Sequence, residues 1–152
     1  MKKILFLLSI LAATGSISQA QSRVKEPKGI NTIVALNPEG MRVNYGKTVS
    51  SLMYEGFGIQ YADSLIGIIS TQPRATMPGY TIIINALISD STIAMRGQMA
   101  SSMSLTFGSA TAGPSATEMT KKGQKGSPLR ESWNMMEKVA RTLSDSLIYE
   151  IR

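Results

Sequence analysis

The sequence predicts an α+β domain in which an antiparallel sheet of about five strands carries two helices on one face, in the order β-α-β-β-β-β-α. Three observations lead there. Runs rich in β-branched residues, several of them alternating between apolar and polar, recur from residue 30 to residue 105. Two stretches, one after the first of those runs and one after the last, repeat apolar residues at helical spacing. The chain has no cysteine, so a regular core rather than a disulfide framework must supply stability.

The chain opens with Lys2 and Lys3, then an apolar run from Ile4 to Ala13, then small and polar residues ending in Ser18-Gln19-Ala20. This is the pattern of a signal peptide cleaved after Ala20. The run is about half the length that spans a bilayer as a helix. The expectation is therefore an exported chain, periplasmic or secreted, with no stable transmembrane segment once the leader is removed. Without Lys2 and Lys3 the formal charge of +6 falls to +4, from 14 Lys plus Arg against 10 Asp plus Glu. An excess of that size favours anionic surfaces without requiring them.

Residues 21–29 are polar, include a proline and lack periodicity, and read as a flexible leader to one domain over 30–152. "INTIVAL", 30–36, reads as a strand that stops at the turn signal "NPEG". Tyr45, Val49, Leu52 and Met53 then mark an amphipathic helix, expected to begin at an Asn44 cap and end at Gly56. "FGIQY" and "LIGIIST" read as two strands around a short turn, and "QPRATMPG" breaks the pattern. Tyr80 to Ser89 and Ile93 to Leu105 read as a long hairpin around Ser89-Asp90-Ser91. On its return strand Ile93, Met95, Gly97, Met99, Met103 and Leu105 share the core side, with Thr92, Arg96, Gln98, Ser102 and Ser104 on the wet side. Residues 108–127 read as a low-complexity loop. Leu129, Trp133, Met136, Ala140, Leu143 and Leu147 then step as one helix, with Ser127 as its cap, Pro128 in its first position and Glu131 in its first turn.

With no histidine and no cysteine, the chain cannot build a Ser-His-Asp or Cys-His triad, a dithiol redox pair, or a zinc site of imidazole or thiolate. No cofactor motif is present. The carboxylates are scattered: Glu131 and Glu137 point about 120° apart on their helix, while Asp63 and Asp90 occupy turns, where Asp accepts local backbone hydrogen bonds. A carboxylate-dependent hydrolase would need two acids brought together by the fold.

The stretch "TKKGQKGSPLRESW" places Lys121, Lys122, Lys125 and Arg130 close together with no acid between them. It is not a P-loop, because its lysine precedes the glycine and Pro128 removes a backbone donor. It reads first as a solvated linker. As the alternative, those four cations form a candidate anion-binding arm for lipopolysaccharide, an acidic polysaccharide or nucleic acid. Met95, Met99 and Met103, with Met135 and Met136, read first as core and second as an adaptable groove for a partner.

The layout carried by "INTIVALNPEG", "YEGFGIQYADSLIGIIST" and "GSPLRESWNMMEKVARTL" resembles small exported α+β proteins of bacterial envelopes. The order of elements is also similar to that of TATA-binding-protein-like and helix-grip domains, among them envelope lipoproteins that help outer-membrane proteins assemble. This chain lacks the acylated cysteine of those lipoproteins, so their anchoring is not carried over, nor is any functional residue. The leading expectation is a non-catalytic domain that binds a protein or envelope component.

Overall fold

The computed structural model describes residues 29–102, 105–107, 110–112 and 115–152. The expected leader to Ala20 lies outside the described residues, as do 21–28 of the flexible segment and Met103. The elements are β1 (Thr32–Leu36), α1 (Met41–Tyr54), β2 (Ile59–Asp63), β3 (Ile68–Thr71), β4 (Arg74–Met77), β5 (Tyr80–Ile88) and β6 (Thr92–Ser101), followed by β7 (Leu105–Phe107), β8 (Ala110–Ala112), β9 (Ser115–Glu118), α2 (Pro128–Leu143) and β10 (Leu147–Glu150).

An open antiparallel sheet of eight strands runs in the order β10-β1-β6-β5-β3-β2. β4 extends it along β5 and β9 extends it along β6, while β7 and β8 pair separately. The α+β class and antiparallel sheet are as the sequence predicts, but the sheet has eight strands rather than about five. The additions have physical reasons. β4 lies in "QPRATMPG", whose Pro78-Gly79 pair turns the chain into β5 instead of ending the sheet. β9 carries no large apolar residue and is held by backbone pairing to Gln98–Ser101. β10 takes over Leu147, which continues the spacing of α2 in sequence but belongs to a strand.

Both helices bury their stripes against the inward side of this sheet. Ile33 and Ala35 of β1, Ile82, Ile84, Ala86 and Ile88 of β5, and Ile93 and Met95 of β6 share one core with Leu52 of α1 and Trp133, Met136, Val139, Ala140 and Leu143 of α2. α2 begins as its sequence predicts: Ser127 Oγ accepts the Arg130 N–H at 3.3 Å and Pro128 occupies the first turn. It ends four residues early because Ser144 turns the chain. The Ser144 hydroxyl donates to Leu36 O at 2.6 Å and accepts the Ser146 N–H at 3.0 Å, which aims Leu147–Glu150 along β1.

α1 corrects two expectations. It starts at Met41, and its cap position is Gly40 at φ 89°. Asp90, from the β5–β6 turn, accepts the Met41 N–H at 3.2 Å. Asn44 is fully buried one turn in, and its amide donates to Asn37 O at 2.8 Å and Ser89 O at 3.0 Å, fastening helix to sheet. Met53 is 62% exposed, and the buried stripe runs through Asn44, Thr48 and Leu52 instead. The end is as predicted: Gly56 at φ 78° lets its N–H reach Met53 O while the Phe57 N–H reaches Leu52 O, both at 2.9 Å.

The segment 108–127, expected as a loop, contributes β8 and β9 and then sends Met119 into the core at 0% exposure. The expected long return strand ends at Ser101, and Leu105 belongs to the separate hairpin. Among the described residues no helix is long and apolar enough to cross a membrane.

Candidate functional site

The four cations of the 121–130 stretch differ in their surroundings. The Lys121 N–H donates to Ile30 O at 2.7 Å, and its ammonium lies 4.1 Å over the ring of Tyr149. Glu137 of α2 completes that corner, accepting Tyr149 Oη at 2.7 Å and Arg141 Nη2 at 2.6 Å. Partial burial would raise the Glu137 pKa, but the Tyr149 and Arg141 hydrogen bonds, with the charges of Arg141 and Lys121, hold it below the ordinary glutamate range. Lys121 is thus part of the α2–β10 seam. Arg130 is half-buried in the first turn of α2, whereas Lys122 and Lys125 are exposed. Asp63 and Asp90 act locally, as their turns predict: Asp63 Oδ1 accepts the Leu65 N–H at 2.9 Å, and Asp90 caps α1. Met95 and Met136 are fully buried and Met99 and Met135 partly so, which is core packing.

A different constellation lies on the sheet face turned away from the helices. Strand register sets two adjacent rows across it. One row runs Glu150, Thr32, Arg96, Asn85, Ser70 from β10 to β3, and the next runs Ile148, Val34, Ala94, Leu87, Ile68. Same-face neighbours along a strand are about 7 Å apart, so a polar stripe and an apolar stripe lie side by side. Leu87 is 52% exposed and Ile148 44% exposed, while Thr32 and Val34 are buried on the floor.

Between the stripes is a cleft of about 360 Å³, lined by Thr32, Ile68, Asn85, Leu87, Arg96 and Arg152 among others. Its polar wall is fixed by hydrogen bonds. Arg96 Nε donates to Thr32 Oγ1 at 3.1 Å, and Thr32 Oγ1 donates to Asn31 Oδ1 at 3.0 Å. Asn31 Oδ1 also accepts the Arg152 N–H at 2.9 Å, and its amide donates to Arg152 O at 2.6 Å and Glu118 Oε1 at 3.0 Å. On the other side Ser70 Oγ donates to Asn85 Oδ1 at 2.8 Å, which turns the Asn85 NH₂ group elsewhere. Among the described residues no carboxylate pairs with Arg96, whereas Arg152 Nε is paired with Glu150 at 2.5 Å. The terminal nitrogens of Arg96 and the NH₂ of Asn85 are therefore donors without a protein acceptor among the described residues.

The chain matches no protein-family model and no curated protein. The cleft presents a fixed guanidinium and an amide on one side and an aliphatic stripe on the other. Sequence reasoning placed Arg96 on the wet side of its strand but did not join it to Asn85. The available signal was the hairpin, whose register makes them direct cross-strand partners.

Proposed function

We propose that this chain is a non-catalytic binding domain, exported to the periplasm or secreted, that engages a protein or envelope component through the open face of its sheet. The observation that carries the reading is the aliphatic stripe of Ile148, Leu87 and Ile68, exposed or half-exposed beside a polar stripe that holds unengaged donors. Single exposed apolar side chains are ordinary, but an apolar row across one sheet face, exposed or half-exposed at Ile148, Leu87 and Ile68 with Val34 buried beneath it, supports a recognition surface. The signal-peptide pattern supports export, and the absence of histidine and cysteine from the sequence supports a binding rather than a catalytic role.

The test is capture from envelope extract by the mature chain, compared with Leu87→Asp/Ile148→Asp and with a variant in which Lys121, Lys122, Lys125 and Arg130 are all Gln. The expected result is a partner lost with the sheet-face variant and kept by the cation variant. Loss only with the cation variant, and only as salt rises, would overturn the sheet-face reading in favour of the basic loop. A hydrolase activity abolished by changing one carboxylate would overturn the non-catalytic reading.

A further inference from the structure

We infer that the cleft at Arg96 binds an amphipathic carboxylate, a monoanionic head joined directly to an aliphatic or aromatic body. The inference deepens the sheet-face reading above and rests on it, since it names the chemistry recognised on that face.

The head group follows from donors and charge. The Arg96 guanidinium keeps its Nη groups available because its Nε is committed to Thr32, and that hydroxyl is in turn committed to Asn31. A fork held by its Nε in this way is preorganised for two parallel hydrogen bonds to one carboxylate. Asn85, directly opposite on β5, adds NH₂ donors whose direction is set by Ser70. Arg152 lines the same cleft but is paired with Glu150, and Glu118 is held on the same wall by Asn31, so Arg96 is the one guanidinium there without a carboxylate partner among the described residues. A single guanidinium fork matches a carboxylate better than a doubly charged phosphate.

The body follows from the neighbouring row. Leu87 and Ala94 lie one same-face step from Asn85 and Arg96, and Ile68 pairs with Leu87. A ligand whose carboxylate meets Arg96 must therefore put its next atoms on that aliphatic stripe. The volume of about 360 Å³ falls at the small end of pockets that hold organic ligands, roughly 300–1,000 Å³. It suits one short chain or ring. A free organic acid and the carboxyl end of a peptide with an apolar last residue share this chemistry.

The experiment is amide chemical-shift titration of the mature chain with 4-phenylbutyrate, and in a second arm with acetyl-Gly-Leu-Leu bearing a free carboxylate. Acetate, 4-phenylbutanol and the peptide amide serve as controls. Shifts are expected at residues 32, 68, 85, 87, 94 and 96, with affinity at least about tenfold weaker for each control. Arg96→Gln should weaken binding about tenfold or more, Arg96→Lys less, and Asn85→Asp should abolish it by like-charge repulsion. The four-cation variant should bind as wild type. Tighter binding in the first arm than the second identifies a free acid, and the reverse identifies a peptide end. No shift with either probe, equal binding of the uncharged controls, or unchanged binding by both Arg96→Gln and Asn85→Asp would overturn the inference. Capture of an envelope partner that depends on Leu87 but not on Arg96 would overturn it while leaving the sheet-face reading intact.

Discussion

Met119 lies flat against Gly97: a Cβ built on Gly97 would stand 2.5 Å from the Met119 Cε and 2.6 Å from its Sδ, with the Met136 Sδ 3.3 Å away. The glycine gives β6 a flat inward spot where the chain arriving from β9 is pinned beneath α2. Met119 is flexible, but Met119 and Met136 are both fully buried, so neither has open space to move into. Gly97→Ala should therefore destabilise the fold by about 1–3 kcal/mol through overpacking. Met119→Ala should cost about 2–5 kcal/mol through the cavity it leaves. In the double variant the new methyl enters that cavity, so the combined loss should fall short of additive, as a urea double-mutant cycle will show.

Asn44 joins three segments at the top of α1. Its amide serves the Asn37 carbonyl in a buried hydrogen bond and the Ser89 carbonyl in a part-buried one. Asn44→Leu removes both bonds and leaves the buried Asn37 carbonyl without that donor, at about 1–3 kcal/mol. The expected loss, read from the urea midpoint, exceeds that of Met53→Ala, because Met53 is largely solvated.

The Glu137 corner makes stability depend on acid. Its carboxyl is held below the ordinary glutamate range in the folded chain, so the folded state takes up that proton less readily than the unfolded state. The resulting stabilisation is present above the unfolded value and is lost as pH falls through the folded one. Glu137→Gln should be less stable than wild type near neutrality, with a smaller further loss between neutral and acid pH. Tyr149→Phe should show part of the same flattening, since it removes one of the hydrogen bonds that lower the pKa. Urea unfolding at a series of pH values measures both.

The cations of the 121–130 stretch should separate by experiment. Lys121→Gln loses its place over Tyr149, worth about 0.5–1 kcal/mol, and should lower the melting temperature. Lys122→Gln and Lys125→Gln alter exposed side chains and should leave stability within about 0.5 kcal/mol of wild type.

The sequence made the inward faces of β5 and β6 legible because Ile82, Ile84, Ile88, Ile93 and Met95 alternate without interruption. α2 was legible for a similar reason, with Ser127, Pro128 and Trp133 marking its cap, its first turn and its buried stripe. What escaped was held by backbone or by long-range partners. β9 consists of Ser, Ala, Thr and Glu and is a strand because β6 offers it an edge. Asn44 looks like a helix cap in sequence, but the cap position is Gly40, and the Met41 N–H is accepted by Asp90, 46 residues beyond Asn44 in the chain. For the cleft, the Ser89-Asp90-Ser91 tip expected from the sequence does separate β5 from β6. The register across it, which pairs Ile88 with Ile93, brings Asn85 opposite Arg96. Nothing local to Thr32 or Ser70 marks them as members of that row, since β1 and β3 reach it through pairings distant in sequence.

β1 lies between β6 and β10, so the first strand of the sheet is completed by the last. During synthesis Thr32–Ala35 must wait more than a hundred residues for Leu147–Glu150, and no shorter length of chain can close the ladder on both sides of β1. Closure at such sequence separation is slow, because the entropy of a long loop is lost before the contacts that compensate for it form. The full sheet therefore cannot form until residues 147–150 have been made and brought back to β1.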